Sequence, residues 1–305
     1  MLEVPSVGKI KNMKRGKKMI TSIKTATVPF SCLNDIKEDI SIFAQRNYLN
    51  DFQKWITTRY VFNPQLDFEP LSIIIAAVGS NLCNAVFHSE LTTVRSVVEL
   101  SSTADEVREL LSKGNNYKFF YDDWLPHKRL AVRSGLAEYG RNNICYVDGM
   151  GSLINLFVFI SDKPCDEEYT WREVKNMDIC NKCSLCKGNC PTGAILAERF
   201  LIDNQKCLTA MNEFGTEPFP DTVPKSAHHQ TVGCSRCQDI CPQNKGMFDN
   251  IADAVCFSEE ETALLISGTT YEKLPKELTE KVDYYGMRQY YESLPRNLKA
   301  LFDNG

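Results

Sequence analysis

Eight cysteines lie between residues 180 and 241, and their spacing constrains the fold more than any other feature of the sequence. The first group has the pattern C-x2-C-x2-C-x3-C-P and contains Cys180, Cys183, Cys186 and Cys190. The second has the pattern C-x2-C-x3-C-P and contains Cys234, Cys237 and Cys241, with Cys207 as the nearest cysteine upstream. The sequence around them, from Asp162 to about Gly246, consists largely of proline, asparagine and short polar turns. Because this region lacks the apolar periodicity of a core, we expect bound metal to hold it together.

The spacing is that of the bacterial ferredoxin run, in which three close thiolates bind one 4Fe-4S cluster and the fourth cysteine binds a second cluster. Crossed pairing of the two groups predicts one ligand set made of Cys180, Cys183, Cys186 and Cys241. It predicts a second ligand set made of Cys190, Cys207, Cys234 and Cys237. Paired C-x2-C units also form tetrahedral zinc sites. Such sites need neither a C-x2-C-x2-C triplet nor two C-x3-C-P endings, so the sequence favours two 4Fe-4S clusters.

The composition is that of a soluble globular protein. Hydrophobic residues make up 43% and charged residues 24% of the chain. No apolar run approaches the roughly 18 residues that a membrane span needs. Because no export signal is visible and the cysteines have metal-ligand spacing, we expect a reducing cytoplasm and no membrane partner.

Basic residues are concentrated near the N-terminus, although the net charge of the whole chain is −4. Residues 4–34 contain seven basic side chains and no acidic one. We predict a basic tail over residues 1–30, which could contact phosphates or anionic lipid, or could be a solvated tail. The seven side chains are those of Lys9, Lys11, Lys14, Arg15, Lys17, Lys18 and Lys24.

Helical patterns occur on both sides of the cysteine region. Capping boxes at Thr103-x-x-Glu106 and Ser258-x-x-Glu261 predict helices that begin immediately after Thr103 and Ser258. The sequence that follows the second of these helices is also predicted to be helical, up to residue 305. Other helices are predicted over 35–45, from 50, from 126 to about 140, and over 192–196.

Strand patterns interleave with these helices up to about residue 161. Residues 71–78 (LSIIIAAV) form an almost continuous apolar run, which predicts a strand buried on both faces in a parallel or mixed sheet. Residues 144–147 and 153–160 are rich in β-branched and aromatic side chains. The pattern predicts a layered α/β (α+β) domain over 31–165. A double-cluster domain over 166–250 and a helical segment over 251–305 follow it.

The order of motifs resembles the epoxyqueuosine reductase family. Residues 130–142 (LAVRSGLAEYGRN) are similar to that family's LA-x-x-AGLGW-x-GKN stretch, and residues 233–242 are similar to its GC-x-x-CQ-x-x-CP. The PTGAI sequence at 191–195 and the PRNLKA sequence at 295–300 also resemble family motifs. The chain departs from the family where Glu138 replaces the tryptophan of AGLGW. The family's upstream segment rich in arginine and tyrosine is not recognisable here, and we expect a short member without the helical-repeat tail of some members.

The resemblance implies a cobalamin-binding domain similar to nitroreductase folds, with the ferredoxin-like module packed against it. The turn that follows residue 134 is the implied contact with the corrin, since glycine lets the backbone approach a ligand closely. A plain helix end capped by Gly140 explains the same glycines without a ligand. The implied cofactor-binding residues are Gly135, Leu136, Gly140, Arg141 and Asn142.

The family's proton-donating aspartate corresponds to the neighbourhood of Tyr121 and Asp122. A gapless match falls on Tyr121, and a shift of one residue falls on Asp122. Both are candidate catalytic acids, because reducing a C–O bond requires a proton at the leaving oxygen. Alternatively, Asp122 and Asp123 simply begin the helix that contains Pro126, where acidic residues favour the N-terminal dipole.

These features lead to a first hypothesis: an iron-sulfur oxidoreductase passes electrons through two 4Fe-4S clusters to bound cobalamin and reduces a small-molecule or tRNA-borne substrate. The electrons would come from an external donor of the ferredoxin or flavodoxin type. The alternative is an electron-transfer protein that reduces a partner, for example a corrinoid protein, without its own cobalamin. A structural iron-sulfur protein without a redox task is a third possibility.

Overall fold

A computed structural model describes residues 20, 22–46, 49–100, 102–197 and 200–304. Most of the predicted basic tail lies outside the described residues. Its last part does not behave as a tail, because Ile23–Pro29 form a strand, β1, that pairs along its length with another strand. The predicted boundary at residue 30 therefore falls just after the first strand of the fold.

The helices and strands that follow β1, up to residue 161, are α1 (Cys32–Ala44), α2 (Asp51–Arg59), β2 (Ser72–Gly79), β3 (Asn81–His88), β4 (Thr93–Leu100), α3 (Ala104–Leu111), β5 (Phe119–Tyr121), α4 (His127–Arg133), β6 (Glu138–Tyr139), β7 (Cys145–Tyr146) and β8 (Ile154–Ser161). Four of the strands form the main sheet, in the order β1-β2-β8-β5. Strands β6 and β7 form a separate two-stranded hairpin.

Strand β2 is buried on both faces, as its apolar run predicts. Ile73 and Ile75 pack into a core with α1 and α4, while Ala76 and Val78 point to the opposite face and pack against Val107 of α3. The expectation of a parallel or mixed sheet was wrong, because every pairing in the main sheet is antiparallel. Helices on both faces produce the continuous apolar run, whatever the strand direction. The mixed α/β class itself is confirmed.

A second sheet joins the middle of the chain to its C-terminal part. It has the order β4-β3-β9, where β9 is Asp253–Phe257, and the β3–β9 pairing is parallel. Its core is covered by α8 (Glu259–Ile266), α9 (Lys276–Tyr284) and α10 (Leu294–Phe302). The C-terminal segment therefore begins with a strand instead of a helix. Because β3 and β4 belong to this sheet, the predicted α/β domain over 31–165 is divided between two sheets.

The capped helices follow their sequence signals closely. Thr103 and Ser258 each accept a hydrogen bond from the backbone of the glutamate three residues on, and both capping boxes are complete. Helix α4, in contrast, ends at Arg133, well short of the predicted end near residue 140. Gly135 has a φ of +78°, a left-handed conformation that stops the helix. Residues 192–196, also predicted to be helical, form turns and bends.

Between residues 162 and 252 the described chain is mostly turns with short helices. The α-helices are α5 (Leu185–Gly188), α6 (Leu208–Phe214) and α7 (Arg236–Asp239). None of the helices in the described part of the chain has the length and hydropathy of a bilayer-spanning segment.

Replacing Gly135 by alanine is expected to destabilise the protein by about 2 kcal/mol. A left-handed residue with a Cβ costs roughly 1 kcal/mol, and the new Cβ would lie 2.7 Å from Cγ2 of Thr170. Gly114 is the matched control, since it has a φ of +79° but nothing within 4 Å of the added Cβ. Thermal unfolding should show a larger loss for Gly135→Ala than for Gly114→Ala, and Thr170→Ala should reduce the difference. Equal losses would contradict the steric part of the argument.

Candidate metal centre

Short turns present the eight cysteines of the double-cluster region to one another. Cys180 lies in a 3-10 turn over Asp178–Lys182, and Cys186 lies in α5. Backbone N–H groups point at several of the sulfurs. The amide of Ala194 donates to Sγ of Cys190 at 3.3 Å, and the amides of Arg141 and Lys187 donate to Cys180 and Cys186. Such N–H groups stabilise thiolates, which are the form that binds iron.

The cysteines of the predicted first ligand set lie next to one another. Burial is the main factor that raises the pKa of the Cys180 and Cys186 thiols, and the neighbouring thiols of Cys183 and Cys241 add to it. All four line one cavity, which is also bordered by Tyr146 and Asn142. Cys241 comes from the second motif, so the structure brings the two motifs together at this cavity.

The predicted second set is also grouped in space. Burial raises the pKa of Cys234 to about 11, and the nearby thiols of Cys207 and Cys190 contribute. Burial likewise raises the pKa of Cys237 to about 12, with further contributions from Cys234, Cys207 and Cys186. Cys207, which lies outside both compact motifs, is therefore close to Cys234 and Cys237.

The cysteines are grouped but do not converge on a point. No three histidine, cysteine, aspartate or glutamate side chains among the described residues are arranged to hold a single metal ion. A cubane spreads its ligands over four irons, and the cavity bordered by Cys180, Cys183, Cys186 and Cys241 brings together one such set of four thiols.

Residues 179–244 match the family described as 4Fe-4S double cluster binding domain. This region is a double 4Fe-4S cluster domain. The chain is 31% identical to the epoxyqueuosine reductase of Cyclobacterium marinum over 118 residues, which are 39% of this chain and 36% of that protein. It is similar in fold to a selenomethionine-labelled epoxyqueuosine reductase, with a TM-score of 0.63 at 18% identity over 92% of this chain and 77% of that one.

A further structure with the same fold is an epoxyqueuosine reductase bound to an epoxyqueuosine-modified tRNA-Tyr stem loop. It gives a TM-score of 0.61 at 19% identity, covering 93% of this chain and 78% of that chain. The similarity to curated sequences is narrower than the similarity of folds, since the chain spans only about a third of the length of the Cyclobacterium relative. The resemblance seen in the motifs is confirmed, and the structural similarity spans more than nine-tenths of this chain.

The turn implied as the corrin contact faces the double-cluster domain. Arg141 donates from Nε to the carbonyl oxygen of Cys183 at 3.1 Å and from a terminal nitrogen to that of Cys180 at 2.6 Å. Asn142 is buried, with 3% of its surface exposed, and donates to the hydroxyl of Tyr146 at 2.9 Å. These two side chains therefore hold the loops of the cluster cysteines.

The glycines and Leu136 in this turn also have neighbours within the protein. A Cβ on Gly140 would lie 2.5 Å from Oδ1 of Asn142 and 2.6 Å from the ring of Tyr146. Gly135 lies against Thr170, and Leu136 packs on the main core. The close approach predicted for the glycines is thus made to protein atoms, and contact with cobalamin stays a prediction.

The two candidate acids lie at the end of β5. The hydroxyl of Tyr121 donates to Oδ1 of Asp123 at 2.6 Å, and burial, together with this carboxylate, raises the pKa of Tyr121 well above its usual value. Asp122 accepts a hydrogen bond from the backbone N–H of Trp124 at 2.7 Å, as expected of a residue that stabilises the start of a helical turn. Tyr121 is therefore a protonated group at neutral pH, whereas one oxygen of Asp122 is used by the turn.

His127 is a neighbour of these acids that the sequence analysis missed. Its Nε2 lies 3.2 Å from the carbonyl oxygen of Asp122, and its ring centroid is 5.7 Å from that of Tyr121. Burial lowers the pKa of His127, so its imidazole is neutral at physiological pH. The only sequence signal is a histidine one residue after Pro126, which is also ordinary for a helix start.

Glu213 of α6 is expected to make stability fall as pH rises. Burial, and then the carboxylate of Glu99, raise its pKa from 4.5 to about 7. Below about pH 4.5 both folded and unfolded chains hold this proton. Between pH 4.5 and 7 the unfolded chain releases it first, so folding becomes less favourable, on the order of 3 kcal/mol in total. Thermal unfolding of Glu213→Gln should match wild type at pH 4 and exceed it at pH 8; equal midpoints at pH 8 would contradict the raised pKa.

Proposed function

We propose that this protein is an iron-sulfur reductase that takes single electrons from an external ferredoxin or flavodoxin and passes them through two clusters to a reducible acceptor. The observation that carries the proposal is the grouping of eight cysteines into two neighbouring sets within a domain that packs on an α/β sheet. Because the thiolate ligands need a reducing compartment, we also propose a cytoplasmic location.

The ligands we propose follow the crossed pairing. The first cluster takes Cys180, Cys183, Cys186 and Cys241, and the second takes Cys190, Cys207, Cys234 and Cys237. Two observations support these sets: the cavity lined by the first four, and the proximity of Cys190 and Cys207 to Cys234 and of Cys207 and Cys234 to Cys237.

The substrate class we propose is a carbon–oxygen bond of an epoxide type, on a tRNA or on a small molecule. The fold shared with epoxyqueuosine reductases supports this choice. Opening an epoxide to an alkene consumes two electrons and two protons and releases water. The clusters would supply the electrons in two single steps, so the site needs a proton donor.

Tyr121 is our candidate for that donor. Its hydroxyl remains protonated at neutral pH, and Asp123, which accepts its hydrogen bond at 2.6 Å, can stabilise the orientation of the ring. Asp122 is the second candidate and has one carboxylate oxygen outside its bond to Trp124. Tyr121→Phe and Asp122→Asn should separate the two, because loss of turnover with intact clusters identifies the donor. Full activity of both variants would exclude both residues.

Cobalamin is the acceptor that the family resemblance implies, and when bound it supplies a reducible cobalt centre. In this structure the side chains of Arg141 and Asn142 bind cluster loops, and protein side chains lie beside the two glycines. A corrin contact of the five residues predicted to hold it stays a prediction. We therefore build no catalytic step on it.

This arrangement favours a second candidate function, an electron-transfer protein that reduces a partner such as a corrinoid protein. Anaerobic reconstitution with iron, sulfide and cobalamin, followed by gel filtration, iron analysis and absorption spectroscopy, tests both. A corrin spectrum that stays with the protein supports the reductase with its own cobalamin. Two clusters without corrin support electron transfer to a partner. A chain that binds fewer than two clusters would contradict both functions.

A further inference from the structure

The turn between β6 and β7 carries a buried amide and a buried hydroxyl that lie beside cluster cysteines from both ligand sets. Asn142 donates from Nδ2 to the hydroxyl of Tyr146 at 2.9 Å. Tyr146 and Cys241 border the same cavity, which places the hydroxyl beside that sulfur. Nδ2 of Asn142 also donates to the carbonyl oxygen of Cys237 at 3.4 Å, which brings the amide close to the side chain of that cysteine. One buried amide therefore links Cys241 of the first set with Cys237 of the second.

The direction of these bonds follows from chemistry. Oδ1 of Asn142 accepts the backbone N–H of Ile144 at 3.3 Å, which leaves both amide hydrogens pointing toward Tyr146 and Cys237. Since the hydroxyl oxygen of Tyr146 already accepts from Asn142, its own hydrogen is available for Cys241. A cysteine that binds iron is a thiolate without a proton, so Tyr146 must be the donor to that sulfur.

We propose that Tyr146 and Asn142 are positioning residues that set the reduction potentials of the two clusters, Tyr146 acting on the first cluster and Asn142 on both. The inference rests on the proposed ligand sets. Each cluster gains one electron from a ferredoxin-type donor or from dithionite, and the added negative charge is shared with its thiolates. A hydrogen bond to a ligand sulfur stabilises the reduced form more than the oxidised form, which raises the potential.

The pair occupies a place where water has little access. Asn142 is 3% and Tyr146 5% exposed, so no solvent molecule can readily replace a lost donor. Gly140 makes the packing possible, because any Cβ there would overlap both side chains. The backbone of this turn is thus shaped to bring the amide and the hydroxyl against the sulfurs.

The test is a potentiometric titration of the reconstituted full chain, followed by electron paramagnetic resonance. In Tyr146→Phe we expect the reduced-to-oxidised ratio of the first cluster to fall about tenfold at a given potential, a shift of about 59 mV for one electron, with the second cluster unchanged. In Asn142→Ser, whose side chain is too short to reach either partner, both clusters should shift downward. Cys207→Ser, expected to keep only the first cluster, identifies which signal belongs to it.

The matched control is Tyr139→Phe, which removes a buried hydroxyl from the same hairpin. The strongest electrostatic neighbours of Tyr139 are Cys145 and Arg129, which are not ligands in either set. Unchanged potentials in Tyr146→Phe with full iron content, or an equal shift in Tyr139→Phe, would overturn the inference while leaving the proposed function intact. If Tyr146→Phe loses iron, Asn142→Ser decides the question. Wild-type protein without two clusters would instead overturn the proposed function.

Discussion

Replacing Cys207 by serine is expected to reduce the iron content from about eight atoms per chain to about four, because one complete cluster is lost. Cys207 is the most informative of the eight ligands, since it lies outside both compact motifs. It is included in the second set because its thiol affects the pKa of both Cys234 and Cys237. The cluster at the cavity of Cys180 and Cys241 should remain. Iron and sulfide analysis together with the absorption of the clusters would measure the change.

Cys256→Ser is the control for this experiment. Cys256 is exposed and lies in β9, outside the double-cluster domain. We expect its iron content to equal that of wild type. If Cys207→Ser also keeps full iron content, another group must be the fourth ligand and the crossed assignment of the second set is wrong.

Replacing Phe257 by alanine is expected to have the largest effect on stability among substitutions outside the cluster domain. Phe257 is fully buried, and its ring stacks on that of Phe87 with centroids 4.6 Å apart and an interplanar angle of 7°. The two rings join β9 to β3 in the second sheet. Truncating a buried phenylalanine costs about 3–5 kcal/mol, a large share of the roughly 5–15 kcal/mol available to a typical domain.

Urea unfolding of the holoprotein, followed by far-UV circular dichroism, should show a clearly lower midpoint for Phe257→Ala. Phe214→Ala is the matched control, because Phe214 is 66% exposed and should cost little. An unchanged midpoint for Phe257→Ala would mean that the second sheet does not depend on the stacked rings.

The fold was predictable where local signals dominate. The capping residues Thr103 and Ser258 marked the starts of α3 and α8, and the apolar run of β2 marked a strand covered on two faces. Strand β4 carries a readable alternation, with Val94, Ser96 and Val98 buried. Its neighbour β3 does not alternate cleanly, and its partner β9 is far away in sequence, so the second sheet was not anticipated. Strand direction could not be read from burial, because helices on both faces give a parallel and an antiparallel strand the same composition.

The candidate site was predictable to the extent that it depends on spacing. The cysteine motifs indicated two clusters, and the crossed sets agree with the groups seen in space, although the ligands themselves remain a prediction. The turn of Gly140, Arg141 and Asn142 was singled out as a corrin contact, which stays a prediction, and its contacts with Cys180, Cys183 and Cys237 could not be read from sequence. A glycine that makes room for a ligand and a glycine that makes room for a tyrosine ring cannot be distinguished in the sequence. Nothing in the sequence marked Tyr146 as a neighbour of the cluster cysteines, since a tyrosine in a short strand is ordinary.

The parallel pairing of β3 with β9 has a consequence for how the protein is made. Asn84 and Asp253, which meet in this pairing, are 169 residues apart, and all eight cysteines lie between them. During synthesis β3 cannot pair with β9 until the whole cysteine region has left the ribosome. Until then its edge is unpaired, and an unpaired strand edge is prone to pairing with other chains. We expect iron delivery to the nascent chain to shorten this exposed period, because a compact cluster domain brings the two ends of the intervening segment together. Cells short of iron should therefore accumulate this protein in aggregates.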